Sequence, residues 1–545
     1  MTEDRFDIDL GPDGPGVYRL LRAGKRSLVD RFVASVDDPE AAQQARLEHI
    51  IGNMAGTAFG KAHTLHRVRS LSDLAHAAPI RTHAELSPWL DRIANGERKV
   101  LTLEPVQMLL ETSGTTGAPK HLPCTRSWAS SVAEAQAIWV LKMVRDHPEI
   151  QHGQALTVVS PEVHTHSPGG LPIGSNTGRM HAAQPWWVRR RYPVPDAVYA
   201  LHPSELKWYA LLRFALQADI SSITTANPST LLLMSRLLQR WRLPLSRDLE
   251  DGTLRQGPAA TLDRWQRFKL ERRLRRCPPP ADFRPAHAWN LRLVNCWKGG
   301  PASYFVDRLP DALGAEVPVR EVGITASEGY FAIPLGDDWP GGVMWSLGHV
   351  LEFVGDDGQP RFGWQLDVGE KVRLVITTEA GLFRYDLADT LEVVGRVGRS
   401  PVLRFVGKTG RWLNATGEKV TGTQVSRAVA QVVTSLGMKG LVGFSARIRW
   451  GEVPVFEVAV EGCPPERLSA FAQAFDRLLR VENIEYDAKR DSARLGPSTA
   501  THLPDGTFRR WREARVAAGA PEGQVKDPVL SVTDEEWQRV MVART

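Results

Sequence analysis

The chain has 545 residues, too many for one hydrophobic core, so two or more domains are expected. Its hydrophobic content of 42% and charged content of 24% are ordinary for a soluble globular protein. The net charge of +6 suits small anionic substrates, but it does not by itself indicate a protein that binds nucleic acid or membranes.

The cysteines and the N-terminal residues indicate the cellular compartment of the protein. The four cysteines lie far apart without a C-x-x-C pair, so neither a zinc cluster nor a disulfide framework is indicated. The first seven residues are acidic and lack the apolar region of a signal peptide. No run of 18 apolar residues could cross a bilayer. We therefore predict a cytoplasmic protein with reduced thiols.

The first hundred residues are predicted to be mainly helical. Apolar residues recur at helical spacing over 17–36 and again over 39–54. Thr82 and Glu85 fit a capping box that opens a further helix, whose apolar side holds Leu86, Trp89, Leu90 and Ile93.

The segment Thr112–Lys120 is the strongest functional signal, and it follows an apolar run at 106–110 that predicts a buried strand. Gly114 and Gly117 let the backbone approach an anion closely. Hydroxyl donors and a compact positive charge complete a loop that suits a polyphosphate, and they come from Ser113, Thr115, Thr116 and Lys120. Because Pro119 stands where the G-x-x-x-x-G-K-[ST] loop needs a glycine, the segment instead resembles the phosphate loop of the acyl-adenylate-forming superfamily.

A predicted strand at 156–160 leads into a loop at 161–175 that contains His164 and His166. Alternate residues on a strand share a face, so this pair is a possible metal pair, although no third ligand of the right type is visible. The other interpretation, which we favour, is a loop that lines the substrate cleft or simply turns.

A basic stretch at 264–276 precedes three prolines and is predicted to be helical. Its apolar side is formed by Leu262, Trp265, Leu270 and Leu274. Basic helices can bind nucleic acid, but a solvated helix with arginine stems lying over apolar surface is the commoner case. We expect no nucleic-acid partner.

Three further motifs follow. A predicted strand at 318–322 delivers 323–329 at its end, and ligands of open α/β sheets bind at such ends. The segment 384–390 and the glycine-rich segment 407–419 come next. We place a domain boundary near Gly410, with a large N-terminal ATP- and acyl-binding domain at 1–409 and a small α+β domain at 410–545.

Taken in order, these motifs resemble those of the acyl-acid amido synthetases, the auxin- and jasmonate-conjugating family of plants, in a bacterial form. The resemblance covers most of the chain from about Pro79 onward. It implies an α/β fold with a large N-terminal adenylate-forming domain of mixed β-sheets flanked by helices, plus a small mobile C-terminal α+β domain. It also implies a ligase that uses ATP and Mg²⁺ to activate a carboxylic acid as an acyl-adenylate. An amine, usually an amino acid, then displaces AMP to form an amide.

The resemblance also implies residue roles. The catalytic residues would be Lys120, Glu328 and Lys526, with Glu328 holding Mg²⁺ and Lys526 reaching the α-phosphate. Asp389 matches the position that binds the ribose hydroxyls, and Gly410 closes the hinge segment. The nucleotide would be bound by Thr112, Ser113, Gly114, Thr115, Thr116, Gly117, Ile324, Thr325, Ser327, Asp389 and Lys408.

The chain departs from the family pattern at three positions. Ile324 stands where an aromatic residue usually stacks on adenine, Ala388 replaces a glycine, and Lys408 replaces the hinge arginine. The short phosphate loop also leaves open an acyl-CoA ligase that uses the same first step. A non-catalytic nucleotide- or nucleic-acid-binding protein is the other alternative. The sequence reveals neither the acid nor the acceptor.

Overall fold

The computed structural model describes residues 8–112, 120–408, 410, 412–438, 443–517 and 528–543. The chain forms two compact units, and the large unit takes in 8–112 and 121–408 of the described residues. The small unit takes in Lys120 and the described residues from 410 onward. Within the described residues, no helix combines the length and the apolar character needed to cross a bilayer.

Three sheets organise the large unit. A four-stranded sheet has the order β2-β1-β5-β4, a parallel sheet has the order β3-β6-β7-β8, and an eight-stranded sheet has the order β13-β12-β14-β15-β16-β11-β10-β9. The strands are β1 (Met108–Thr112), β2 (Lys120–Cys124), β3 (Gln154–Thr157), β4 (Thr165–His166), β5 (Pro172–Gly174), β6 (Ile220–Thr224), β7 (Leu293–Cys296), β8 (Val319–Glu321), β9 (Ile324–Ala326), β10 (Gly329–Ile333), β11 (Gly342–Met344), β12 (Val350–Val354), β13 (Pro360–Arg361), β14 (Lys371–Thr377), β15 (Tyr385–Val397) and β16 (Ser400–Lys408).

Helices cover these sheets. They are α1 (Gly16–Gly24), α2 (Arg26–Asp37), α3 (Pro39–Met54), α4 (Ala58–Ala62), α5 (Leu74–Ala77), α6 (His83–Ala94), α7 (Arg126–Asp146), α8 (Asn176–Ala182), α9 (Trp186–Arg189), α10 (Asp196–Tyr199), α11 (Ser204–Leu216), α12 (Ser229–Arg240), α13 (Arg242–Asp251), α14 (Arg264–Glu271), α15 (Pro285–Ala288), α16 (Ser303–Val306) and α17 (Leu309–Leu313). The predicted helix at 39–54 is confirmed, as is the capping box of Thr82 and Glu85 at the start of α6.

The small unit is an α+β structure with its own core. Its strands are β17 (Trp412–Leu413), β18 (Val420–Thr421), β19 (Gly443–Arg449), β20 (Val455–Glu461) and β21 (Thr499–Leu503). Its helices are α18 (Gly422–Ser435), α19 (Leu468–Glu482), α20 (Ile484–Asp491), α21 (Thr507–Ala517) and α22 (Asp534–Val542). β19 pairs antiparallel and β21 parallel with β20, and α19 packs on this sheet through buried residues such as Phe471 and Phe475.

Two local predictions differ in detail from the structure. The helical pattern over 17–36 is confirmed as two helices, because Lys25 interrupts the helical geometry between α1 and α2. The basic stretch is helical only over α14, and its predicted apolar side is not all buried. Leu262 and Leu270 enter the core, whereas the Trp265 side chain is 72% exposed. The helical period alone did not reveal which part of the apolar stripe the protein would cover.

Candidate active site

Both ends of the predicted phosphate loop are held by one sheet. Thr112 is the last residue of β1 and Lys120 is the first residue of β2, and the two strands are neighbours. Residues 108–110 anchor β1 in the core. The part of the loop between the strands lies outside the described residues, and it contains the predicted phosphate ligands Ser113, Gly114, Thr115, Thr116 and Gly117. Their role stays a prediction.

Glu111 lies at the base of this loop between two histidines, which the sequence analysis did not bring together. Its Oε2 is 3.4 Å from Nε2 of His121, and its Oε1 is 3.2 Å from Nε2 of His164. The hydrogen bond from His121, helped by His164, lowers the pKa of the Glu111 carboxyl against the effect of burial. Glu111 therefore joins the stem of the loop to the segment that precedes β4. The sequence carried no local signal for a contact between Glu111 and His164.

The metal alternative for His164 and His166 has no support in the part of the chain that the structure describes. His164 turns toward Glu111, and His166 is exposed on β4. Among the described residues, no group of three or more His, Cys, Asp and Glu side chains could hold a metal ion.

The second motif lies on a hairpin rather than at the end of the predicted strand. β8 ends at Glu321, whose carboxylate accepts hydrogen bonds from the backbone N–H groups of Lys298 (2.6 Å) and Gly323 (3.0 Å). The chain then enters the eight-stranded sheet as the β9–β10 hairpin. We expected this motif at the end of the predicted strand, whereas the structure places it on a hairpin after that strand.

On this hairpin the predicted nucleotide ligands differ in burial. Ile324 is a buried member of the core, and Thr325 is half-buried and donates through Oγ1 to the Gly329 carbonyl at 3.3 Å. Ser327 is half-buried in the turn beside Glu328. Their contacts with adenine stay predictions.

Glu328 combines burial with an uncompensated carboxylate. The residue is only 8% exposed, and its backbone carbonyl accepts a hydrogen bond from Nε1 of Trp128 at 2.8 Å. Its carboxylate makes no hydrogen bond or ion pair with another described residue. A buried carboxylate without a counter-charge is costly, and a bound cation would compensate it.

Asp389 occupies a core position of a strand. Burial alternates along β15, so Tyr385, Leu387, Asp389, Leu391 and Val393 share the buried side. Asp389 is 6% exposed and lies opposite Lys408 of β16 in the backbone pairing. The side chain of Lys408 is not among those described. An acidic residue in the apolar phase of a strand is a signal that could have marked this site from sequence.

The start of β15 is held in an unusual backbone conformation. Arg384 and Ala388 have positive φ angles of 48° and 55°. The Arg384 guanidinium forms a bidentate ion pair with Glu352 at 2.8 and 3.0 Å and also donates to the Ala78 carbonyl at 2.7 Å. Burial raises the pKa of Glu352 despite this arginine. Arg384 therefore anchors the strand from which Asp389 projects.

The two motifs converge on Tyr385. Burial first, and then the negative charges of Glu328, Asp389 and Asp386, raise the pKa of the Tyr385 hydroxyl. We name these three acidic residues the carboxylate cluster. Its members lie on the β9–β10 hairpin and on β15, and their role in a nucleotide site stays a prediction.

The small unit contains a second charged group that the sequence analysis missed. Nζ of Lys489 donates to Oε2 of Glu485 at 2.9 Å, and burial, then the nearby Arg494, lowers the pKa of Lys489. Lys489, Arg494 and Lys419 together lower the pKa of Glu485 against the effect of burial. We name these three basic residues the cation cluster. Lys526 lies outside the described residues.

The cation cluster adjoins the loop at 414–419. The Glu418 carboxylate is turned inward, where it accepts from the backbone N–H groups of Ala415 (2.5 Å) and Thr416 (2.8 Å). A Cβ built on Gly417 would lie 4.0 Å from Nζ of Lys489. Glu418 is therefore held by the loop, and its negative charge also acts on Lys489 and Arg494.

Comparison with known proteins covers almost the whole chain. Residues 28–319 match the N-terminal domain of the GH3 family, residues 352–408 its central domain, and residues 423–535 its C-terminal domain. An indole-3-acetic acid-amido synthetase, GH3.6 of Arabidopsis thaliana, is 22% identical over 92% of this chain and 90% of its own length. The jasmonoyl-L-amino acid synthetase JAR6 of Nicotiana attenuata is also 22% identical, over 92% of this chain and 93% of its own length.

Solved structures show the same fold. The AtGH3.15 acyl acid amido synthetase in complex with 2,4-DB superposes with a TM-score of 0.64 and 15% identity, covering 99% of this chain and 98% of that one. A 2-hydroxyisobutyryl-CoA ligase in its thioesterification state gives a TM-score of 0.53 and 15% identity, covering 93% and 92% of the two chains.

Proposed function

The chain belongs to the GH3 family, and on that premise we propose that it joins a carboxylic acid to an amino acid through an acyl-adenylate. The family prediction is confirmed, and so are the α/β fold class and the enzyme class, a ligase of the amido synthetase kind. The proposal concerns the substrates, the metal and the residues that act.

The chemistry has two steps, the first at the α-phosphorus of ATP and the second at the acyl carbon. A carboxylate oxygen attacks the α-phosphorus of ATP, and the bond to the departing pyrophosphate breaks. The amine nitrogen then attacks the acyl carbon, loses a proton and displaces AMP. The pyrophosphate charge needs donors and a cation, and the proposed ones are Ser113, Thr115, Thr116 and Lys120. Lys526 is the proposed cation at the α-phosphate.

The observation that carries the proposal is the burial of two acids, Glu328 in the turn of the β9–β10 hairpin and Asp389 on β15. The two acids come from separate segments, yet both are buried and both act on one hydroxyl. Burying several carboxylates together destabilises a fold unless a ligand uses them. Asp389 is proposed to accept from the ribose hydroxyls, with Ile324, Thr325 and Ser327 nearer adenine and Lys408 and Thr112 at the edges of the nucleotide.

Glu328 fits a magnesium ligand. Its carboxylate oxygens are unpaired among the described residues, and carboxylate oxygen is a ligand that Mg²⁺ prefers. Among the described residues, no group of three or more side chains could hold a metal ion by itself. Mg²⁺ is usually bound by one or two carboxylates together with substrate phosphates, and Glu328 suits that arrangement. When bound, Mg²⁺ would neutralise phosphate charge.

ATP–pyrophosphate exchange tests the first step. Labelled pyrophosphate should enter ATP only when a suitable acid and Mg²⁺ are both present. The acid panel contains indole-3-acetate, 2,4-DB, 2-hydroxyisobutyrate and benzoate, each matched with a reaction that lacks the acid. Exchange without acid, or no exchange with any acid, contradicts the proposal.

The acceptor is tested by product mass. We expect an amide when the twenty common amino acids are supplied and no thioester when coenzyme A replaces them. A thioester product would instead support the acyl-CoA ligase alternative. We further propose the domain division at 409/410 and a cytoplasmic location, which fits four free cysteines. Cell fractionation tests the location.

A further inference from the structure

Arg179 of α8 is a half-buried cation without an ion-pair partner among the described residues. Its Nε and Nη2 donate to Oδ1 of Asn176 at 3.3 and 3.1 Å, and its Cζ lies 5.2 Å from the ring centroid of Trp128. One ring face and one amide oxygen therefore hold the guanidinium. Neither partner is a charge that would neutralise it.

The other groups near Arg179 do not supply that charge. Cys124 and Glu162 are the charged or titratable neighbours that act on it. Burial raises the pKa of the Cys124 thiol to about 11, so this group is neutral at physiological pH. Glu162 is exposed and forms no ion pair with Arg179. Burial accordingly lowers the pKa of Arg179, with Cys124 and Glu162 opposing it only in part.

The backbone fixes the position of Arg179. Ser175 caps α8 through the N–H of Gly178 at 3.0 Å, and its hydroxyl donates to the Pro161 carbonyl at 2.9 Å. A Cβ at Gly178 would lie 2.5 Å from both the Ser160 carbonyl oxygen and the Glu162 nitrogen. The first turn of the helix thus packs directly on the segment after β3, which leaves little freedom to the residue that follows Gly178.

Trp128 connects Arg179 to the candidate active site. It is fully buried, its ring lies under the guanidinium, and its Nε1 donates to the backbone carbonyl of Glu328 at 2.8 Å. The cation and the predicted Mg²⁺ ligand are therefore separated by a single indole. A cation on the ring of a tryptophan that also contacts the backbone of Glu328 can take part in binding an anionic substrate.

We infer that Arg179 binds the carboxylate of the acid substrate before adenylation. Of the five N–H donors of a guanidinium, Asn176 engages two, which leaves the Nη1–Nη2 edge for two parallel hydrogen bonds to a carboxylate. Stacking on Trp128 keeps that edge in one plane. The inference rests on the proposed function and deepens it.

This role belongs to the first step only. While the acid is free, its charge pairs with Arg179 and one oxygen can attack the α-phosphorus. Once the oxygen–phosphorus bond has formed, the acyl group carries a neutral carbonyl and the ion pair is lost. Arg179 should therefore matter little when acyl-adenylate is supplied.

A kinetic test separates acid binding from ATP binding. Arg179→Gln should raise the KM for the best panel acid about 10- to 100-fold, as expected for a lost charge-assisted pair, and leave the KM for ATP unchanged. Arg179→Lys keeps the positive charge but loses the planar guanidinium, so its KM for the acid should lie between those of the wild type and Arg179→Gln. The matched control is Arg190→Gln, because Arg190 also stacks on a tryptophan, Trp186, at 4.8 Å. A raised KM for ATP, or no change in either, overturns the inference.

A second test does not depend on activity. Phenylglyoxal modifies accessible arginines, and peptide mass spectrometry reports the rate at Arg179 in the intact protein. Benzoate and indole-3-acetate should protect Arg179, whereas benzamide, indole-3-acetamide and ATP alone should not. Protection by ATP, or by neither carboxylate, overturns the assignment even if exchange succeeds. Protection by a carboxylate when no acid supports exchange would keep the binding site and refute the proposed function.

Discussion

The large unit gathers carboxylates around a buried tyrosine, whereas the small unit gathers cations around two carboxylates, Glu485 and Glu418. In the carboxylate cluster the acids add to the effect of burial and raise the pKa of Tyr385. In the cation cluster the bases oppose burial and lower the pKa of Glu485. Like charges held together out of water repel each other. The first cluster therefore suits a metal ion and hydroxyl donors, and the second suits an anion.

The two clusters also differ in how the backbone holds them. The carboxylate cluster lies on a hairpin and on a strand whose start is anchored by the buried Arg384–Glu352 pair. The cation cluster lies on α20, on the loop after it and on the loop between β17 and β18, which also holds the inward-turned Glu418. Rigid strands fix the position of charges more closely than loops do. We therefore expect substitutions in the first cluster to have the larger effects.

The largest expected effect comes from removing one charge that stabilises the adenylation step. Lys120→Ala and Glu328→Ala should each reduce pyrophosphate exchange by about 10²–10³-fold, which is typical for one such donor. Lys120 begins β2 at the end of the phosphate loop, and the Glu328 carboxylate makes no ion pair within the described part of the chain. Initial exchange rates with saturating acid measure the loss.

Exposed residues of the same types provide the controls. Lys371 is exposed on β14 and Asp356 is exposed in the loop after β12, so Lys371→Ala and Asp356→Ala should retain wild-type exchange. If Lys120→Ala and Glu328→Ala both retained wild-type turnover, the assignment of the site would be refuted.

The next effect concerns Gly410, the predicted hinge residue. Proline cannot adopt the φ of 118° found at this residue, because its ring fixes φ near −65°. Gly410→Pro should reduce one half-reaction by about 10²-fold, because small misplacements of reacting groups cost that much, and spare the other. Pyrophosphate exchange reports the first half-reaction, and acyl transfer from supplied adenylate reports the second.

Gly410→Ala is the matched variant for this prediction. A Cβ at residue 410 would lie 2.7 Å from the Trp412 ring, so alanine introduces the same crowding without fixing φ. If Gly410→Pro impairs both half-reactions equally and lowers the melting temperature, the variant is misfolded and the hinge prediction is not supported.

The sequence predicted elements whose signal is local. The Thr82–Glu85 box and the helix at 39–54 both follow from short-range pattern and are confirmed. The failures lie where tertiary structure decides. Trp265 has the right helical phase for burial but remains exposed, because the period does not say how wide a stripe is covered. The segment that holds Glu328 was expected at the end of a strand, but it forms the turn of the β9–β10 hairpin. No local sequence signal predicts this hairpin.

The candidate site shows the same limit. Asp389 and Glu328 were predicted through family resemblance, and the structure brings them together. Arg179 and Glu111 were missed, because a lone arginine or glutamate is usually a surface charge and their partners lie far away in sequence. The contacts of Arg179 with Trp128 and of Glu111 with His164 exist only in the folded chain.

A smaller effect tests the electrostatic reading of the cation cluster. Arg494 is a cause of the lowered pKa of Lys489, so Arg494→Gln should raise that pKa toward its ordinary value. NMR of ¹³C-labelled lysine, with Lys489→Met to identify the signal, measures the change. Arg477 on α19 is not among the charges that shift the pKa of Lys489, so Arg477→Gln should leave that pKa unchanged. A Lys489 pKa that falls or stays constant in Arg494→Gln would contradict the reading.

The smallest expected effect concerns backbone strain beside each cluster. Ala388 and Ala493 both have φ of 55°, in the left-handed region that disfavours a side chain. Ala388→Gly and Ala493→Gly should each stabilise the protein by about 0.5–1 kcal/mol, because relief of strain exceeds the added freedom of the unfolded chain. Denaturant unfolding midpoints measure both changes in stability.

The Ala388 N–H donates to Oδ1 of Asp386 at 2.8 Å, and glycine keeps this hydrogen bond. If strain at residue 388 serves only to pass the chain into β15, exchange activity should be unchanged while stability rises. If exchange falls in Ala388→Gly but not in Ala493→Gly, the strained alanine positions Asp389, and the two clusters differ in function as well as in sign.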